Sequence, residues 1–405
     1  MKKNQVVIGW ILFVVTIAFI AHLHGVKTKL GLFAVTGVGF GYVLQRSRFG
    51  FAGTVRKLAV MGNGSLFKAV MLLVIISTII SAGIQYTAFM NGDVIPGISS
   101  VKTINLAAVW GGILFGIGMI FAGGCASGTL TDIGEGYIRS IVVLVFFCLG
   151  SVLGVAHMGA LKDTILMVGP KLYMPEYLGY FGAVKFFLVI YIITYFAIRK
   201  YEAKRKAEGT FIEETYADWE KPMEEDGEFK VFSFKTYHKL FVERWSFTVG
   251  AGLIAGFGIL VLVTAGKNWG VTTTFTYWGA WIIELFGGDV SNIGYFQSEK
   301  AMKILSGGFF NDAGSMRNLG LIIGSLMAAL LAGGLTIDRN FKVKHVLSYI
   351  IGGLIMGYGA RFSSGCNAGA FYSSLISLSF SGVLFGIYMT IGGLIGLKLV
   401  EKFDL

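Results

Sequence analysis

Trp110–Leu130 reads WGGILFGIGMIFAGGCASGTL, and Ile351–Phe371 reads IGGLIMGYGARFSSGCNAGAF. At an offset of 241 they agree at Gly111/Gly352, Gly112/Gly353, Gly116/Gly357, Gly118/Gly359, Phe121/Phe362, Gly124/Gly365, Cys125/Cys366 and Gly128/Gly369. With 58 Gly in 405 residues, glycine matches alone carry little weight. Two of only three cysteines falling in register carry more. Each copy is an apolar stretch, a glycine turn, a Cys and a second short stretch. Lipid satisfies no backbone N–H or C=O, so such a break is tolerated at membrane depth only against protein or a watery cavity. The pattern predicts broken or re-entrant half-helices meeting near the bilayer midplane.

Outward from these copies the chain keeps the same character. Residues of the set AVILMFWYC make up 55% and charged residues 14%, against about 25% charged in soluble domains. Mean hydropathy is +0.71. So few charges cannot cover so much apolar surface in water, and the fold class is an all-α polytopic membrane protein. Four Pro and three Cys exclude collagen-like and disulfide-scaffold chains.

Val6–Leu23 follows Lys2 and Lys3 and ends in Ala21-His22-Leu23-His24. It lacks the shorter core and small-residue site of a cleaved leader, and is expected as an uncleaved first span. Further spans of about 17–25 residues are expected near 66–89, 138–157, 180–198, 246–265, 317–336, 346–362 and 380–400. Between them Gly31–Leu44, Leu106–Ala122, Cys125–Ile133, Val271–Phe286 and Cys366–Leu378 are too short or too interrupted to cross alone.

Charge divides the chain into three. Arg199–Arg244 holds ten Lys/Arg and eleven Asp/Glu, including Glu224-Glu225-Asp226, and reads as a solvated linker, helical near 199–208. Residues 1–198 and 245–405 are then two transmembrane halves. The formal charge of +11 comes from these halves. Basic residues gather at the cytoplasmic ends of spans, so this excess needs no nucleic-acid partner. In the first half they cluster at Arg46, Arg48, Arg56 and Lys57. In the second, Lys267 stands alone at the corresponding place while Arg339, Lys342 and Lys344 follow the next span. A weaker match at offset 220 sets Arg48-Phe49-Gly50-Phe51 against Asn268-Trp269-Gly270-Val271. Equivalent loops on opposite faces are the mark of inverted repeats, which place a substrate site at their interface.

The chemistry concentrates at the two turns. Glycine permits the sharp bend and close ligand approach, and the N–H groups opening each following half-helix favour an anion. A thiol is a weak donor with a polarisable sulfur, suited to a sulfur- or selenium-containing partner. The bland alternative is tight helix crossing with Cys filling small gaps. A Cys125–Cys366 disulfide also stands open. Arg361 either attracts an anionic substrate or neutralises Asp312, because a charge at that depth needs a cavity or a partner. Asp132 and Glu135 are either headgroup-level or proton-handling. Cys148 reads as a core residue, and His22 and His24 as interfacial. No metal-ligand spacing appears, no cofactor is expected, and no ATP-binding Gly-rich loop is present.

Gly37-Val38-Gly39-Phe40-Gly41, Gln45-Arg46-Ser47-Arg48-Phe49-Gly50-Phe51-Ala52, Gly123–Gly128 and Gly359–Phe371 together resemble the YeeE/YedE family of bacterial inner-membrane proteins. The resemblance implies uptake of thiosulfate or a related sulfur compound, with selenium metabolism in a long-chain branch. It also implies an hourglass of inverted repeats whose central thiols pass substrate by S–H···S contacts. Cys125 and Cys366 would be two such thiols. Gly123, Gly124, Gly365, Ser127, Asn367 and Arg361 would line the path, with Arg48 and Gly50 at the first motif. The family's first motif reads Arg-Phe-Cys-Phe, whereas Gly50 stands here. Either two thiols suffice or this branch handles another substrate.

The expected activity is transport, not catalysis, of a small sulfur anion. A selenium-species transporter and a membrane-embedded sulfur-transfer component are the rivals, as is a membrane partner that docks through the linker. A cytosolic sulfur-carrier protein is the one protein partner this reading admits.

Overall fold

The computed structural model describes residues 2–223, 231–338 and 343–403, so Arg339, Lys342 and Glu224-Glu225-Asp226 lie outside the described residues. The first half comprises α1 Lys3–Val26, α2 Thr28–Arg46, α3 Phe51–Met61, α4 Ser65–Met90, α5 Leu106–Phe121, α6 Ala126–Gly134 and α7 Ile138–Leu161. Helix α8 Met174–Ala207 and the short α9 Phe234–Tyr237 follow. The second half comprises α10 Phe247–Ala265, α11 Thr272–Leu285, α12 Glu299–Gly307, α13 Ala313–Leu331, α14 Val343–Phe362, α15 Ser373–Ile376 and α16 Phe380–Phe403. Among the described residues eight helical segments are long and apolar enough to cross a membrane, the broken α5–α6 pair counting as one. The chain is an all-α polytopic membrane protein.

The stretch Gly31–Leu44 is unbroken helix, though α2 is not among those eight segments. It lies inside the unbroken 19-residue α2, about 28 Å long at 1.5 Å per residue. Its glycines serve packing instead. A Cβ on Gly37 or Gly41 would stand 2.1 Å from the Arg317 carbonyl oxygen or 2.0 Å from that of Leu321, so α13 runs parallel along α2 at backbone contact.

The two quoted copies pack on one another. Gly118 meets Gly352 and Met356, and its counterpart Gly359 meets Gly111 and Phe115, the same neighbours shifted by 241. This order of contacts makes α5 and α14 cross antiparallel. Gly116 meets the Met389 carbonyl of α16, and Gly357 the Phe147 carbonyl of α7. Small residues let helix backbones approach in lipid, where dispersion replaces the hydrophobic effect as the driving force.

The described part of the segment after α8 is mostly exposed, as a connector would be, but buried ion pairs tie it to the bundle. Helix α8 continues to Ala207, and the chain then folds back under one face of the bundle. The buried carboxylate of Glu220 lies 2.9 Å from Arg48 and 3.6 Å from Arg46. Arg46 donates to the carbonyls of Phe241 and Val242 (2.6 and 2.9 Å). Lys57 of α3 reaches Glu214 at 2.5 Å, and Arg244 pairs with the same carboxylate. This face is called the linker face below. On the opposite face Gly97 donates to Gly266 O, and Asn268 donates to Ser100, Ser373 and Ser377.

Candidate substrate pathway

Helix α5 ends at Ala122, and Gly123 turns the chain with a φ of +74°. Cys125 follows in extended backbone and caps α6, its carbonyl accepting from Thr129 N (2.7 Å). The second copy repeats the turn. Ser364 takes φ +60° where Gly123 stands in the first, and Gly365 takes φ +155°. Only glycine fits at 365, because an added Cβ would also lie 2.8 Å from Ala370 N. Cys366 is again extended, and its carbonyl accepts from both Ala370 and Phe371 (2.6 and 3.3 Å). That doubled acceptance widens Asn367–Tyr372 into a π-turn, where the first copy makes an ordinary α-turn. The early N–H groups of a helix have no intrahelical acceptor, so both cysteines sit at donor-rich ends.

Cys125 and Cys366 are each 1% exposed, and both are free thiols, so the disulfide is not formed. Ser127 Oγ lies 3.4 Å from Cys125 Sγ. Asn367 is fully buried, and neither its amide oxygen nor its nitrogen has a protein partner. Buried amides are normally satisfied, which makes Asn367 the clearest polar group left for a ligand. Gly124 and Gly365 are buried, while Gly123 is exposed on the linker face.

Arg361 does not neutralise Asp312. That carboxylate caps α13, accepting from Ser315 N (2.7 Å) and Ser315 Oγ (2.8 Å). Arg361 is buried against Gly154, near Cys366, Tyr277 and Tyr295, makes no ion pair among the described residues, and leaves Nε without a partner. Lys102 on the opposite face completes a cationic approach to it. Burial, and then the charges of Arg361 and Lys171, lower the Lys102 ammonium below its ordinary value.

The Arg48 guanidinium pairs with Glu135 and Glu220 and so ties the linker to the ends of α2 and α6. Glu135 is thereby committed as well, and Asp132 lies 3.7 Å from Arg139 and 3.3 Å from Ser140 Oγ. Gly50 caps α3 at φ −110°, and no atom lies within 4 Å of where its Cβ would be. Cys148 is buried on α7, as read from the sequence. Among the described residues no cluster of His, Cys, Asp or Glu is arranged for a metal ion.

Sequence reasoning missed three groups. Trp269 is 1% exposed, stacks on Phe40 at 4.1 Å and leaves its indole N–H unpartnered. The offset-220 match pointed at this position, though not at its role. Arg56 and Arg139 border a cavity of about 810 Å³ into which Gly123 opens on the linker face. No spacing rule joins residues 56, 123 and 139.

Among the described residues, eight helical segments able to cross a bilayer, with helix breaks at two buried thiols, mark a multi-pass membrane protein of the transporter class. The chain belongs to the sulphur transport family, which it matches over residues 46–395. It is 26% identical over 371 residues to the thiosulfate transporter TsuA of Spirochaeta thermophila, covering 88% of this chain and 95% of that one. It is 25% identical over 373 residues to the thiosulfate transporter TsuA of Escherichia coli, covering 88% and 91%. The probable transporter YedE of Escherichia coli is 31% identical over 166 residues, 40% of this chain and 39% of that protein.

Proposed function

We propose that this protein carries a small sulfur oxyanion, thiosulfate foremost, inward across the bacterial inner membrane along a narrow path past Cys366 and Cys125. The observation that carries the reading is the duplicated turn: two buried free thiols, each following a break in a membrane helix. Cationic groups lie near both ends of the path, Arg361 and Lys102 toward one face and Arg56 and Arg139 toward the other. Thiols supply soft, weak contacts to sulfur, while flanking cations attract the charge without a tight buried pair that would trap it. Both TsuA relatives are named as thiosulfate transporters, which supports the same substrate here.

The two halves are read as inverted repeats. The recurrence of glycine contacts at 241 and the antiparallel crossing of α5 and α14 support that reading. The linker face is then cytoplasmic, as its basic residues favour. Asn367 and Ser127 serve as neutral donors beside the thiols. The test is uptake of labelled thiosulfate into proteoliposomes. Cys125→Ala and Cys366→Ala are each expected to reduce the rate at least about tenfold, the worth of about 1.4 kcal/mol. Intact uptake in both variants would refute the thiol path. A thiosulfate flux that selenite outcompetes would instead favour the selenium rival.

A further inference from the structure

We propose that the linker-face cavity is itself a binding site for a compact sulfur or phosphorus oxyanion, separate from the thiols and just beyond Cys125. This deepens the transport reading and rests on it only for the site's place along the path. The cavity measures about 810 Å³, and Gly123, two residues before Cys125, forms part of its wall. Four elements bring cationic or titratable groups to it: Arg56 from α3, Arg139 from α7, His345 from α14 and Lys398 from α16. Among the described residues Glu401 is the carboxylate in its lining. Asp132, 3.7 Å from Arg139, is the nearest acid behind it.

Two of these cations are left unpaired by the fold, and the third is only partly engaged by Asp132. Arg56 and Lys398 are exposed and make no ion pair among the described residues. The Arg139 guanidinium stacks on Tyr137 at 4.8 Å, and its buried Nε has no partner. Gly123 takes φ +74°, and a Cβ there would stand 3.8 Å from Arg139 Nη1, so this turn lies in ordinary contact with that guanidinium. Arginine and lysine converging from separate helices suit a compact anion with several acceptor oxygens. The other wall is apolar, with Ile120, Phe121 and Leu394. An oxyanion with this surround is either a free sulfur oxyanion or the phosphate of an acidic lipid; the recognising chemistry is the same.

The experiment uses the purified full chain in detergent at constant ionic strength, titrated with sodium sulfate and sodium thiosulfate against chloride. Thermal stabilisation reads occupancy. In wild type both salts are expected to stabilise at millimolar concentration. In the Arg56→Gln/Lys398→Gln double variant the half-effect concentration is expected to rise about fivefold, in keeping with two solvent-accessible charge contacts. Those two side chains are exposed and unpaired, so the variant tests the site without touching a buried pair. Arg139→Gln is a second, independent variant. Native mass spectrometry with phosphatidylglycerol and phosphatidylethanolamine forms the lipid arm. Selective retention of the acidic lipid, lost in both variants, makes the lipid phosphate the source and upholds the site. If neither inorganic dianion nor acidic lipid distinguishes wild type from either variant, the proposal falls. Binding without any thiosulfate uptake would refute the transport reading and leave this site standing.

Discussion

Gly50 has room for an added side chain, and the proposed path is expected to respond to one there. Its φ of −110° suits any residue, and 4 Å of open space surrounds the missing Cβ. Gly50→Cys is therefore expected to fold with stability within about 1 kcal/mol of wild type, since it neither strains backbone nor overpacks. It would restore the thiol of the family's first motif and alter either the rate of thiosulfate uptake or its competition by selenite and sulfite. An uptake panel showing the same rate and the same selectivity would count against Gly50 lining the path. At this scale the repeat made Cys125, Cys366 and their glycines legible. Arg48 was not legible, because its partner Glu220 lies 172 residues further on and no local pattern couples them.

At the scale of elements the glycines act as contact surfaces. A Cβ at Gly357 would lie 2.1 Å from the Phe147 carbonyl oxygen, and neither backbone can yield without parting α14 from α7. Gly357→Val is expected to lower stability by about 3 kcal/mol, the upper range for overpacking. The melting temperature in detergent would show it, and an unchanged value would contradict the packing. The same contacts explain why the glycines of α2 look like breaks in the sequence although the helix is continuous. Glycine breaks a helix in water but joins helices in lipid, and composition cannot tell these uses apart. Six of the eight expected spans fall within about five residues of helices able to cross, because span length follows bilayer thickness. The expected span 180–198 lies inside the longer α8, and 346–362 lies on α14, which is not among those helices. The π-turn after Cys366 had no sequence signal, since the first copy, with the same spacing, makes an ordinary α-turn.

For the whole molecule, the linker is the part that holds distant pieces together. Glu220 is buried with Arg46 and Arg48 at the end of α2, and Glu135 joins them from the end of α6. Glu220→Gln leaves two cations without that counter-charge, one of them fully buried, and is expected to destabilise by about 3 kcal/mol. It should also expose the 208–246 region to limited proteolysis. A resistant linker and an unshifted melting temperature would show that the ion pairs are incidental.

The sequence by itself determined the membrane class, most of the spans and the two cysteine turns. Each of these depends on local composition or on a repeat visible along the chain. Only the tertiary structure decided that the charged linker packs against the bundle, that Arg361 stands free of Asp312, and that Arg56, Arg139 and Lys398 converge on one cavity. Those outcomes depend on which helix ends meet in space. Packing and charge pairing between residues far apart along the chain settle that, and no local pattern records it.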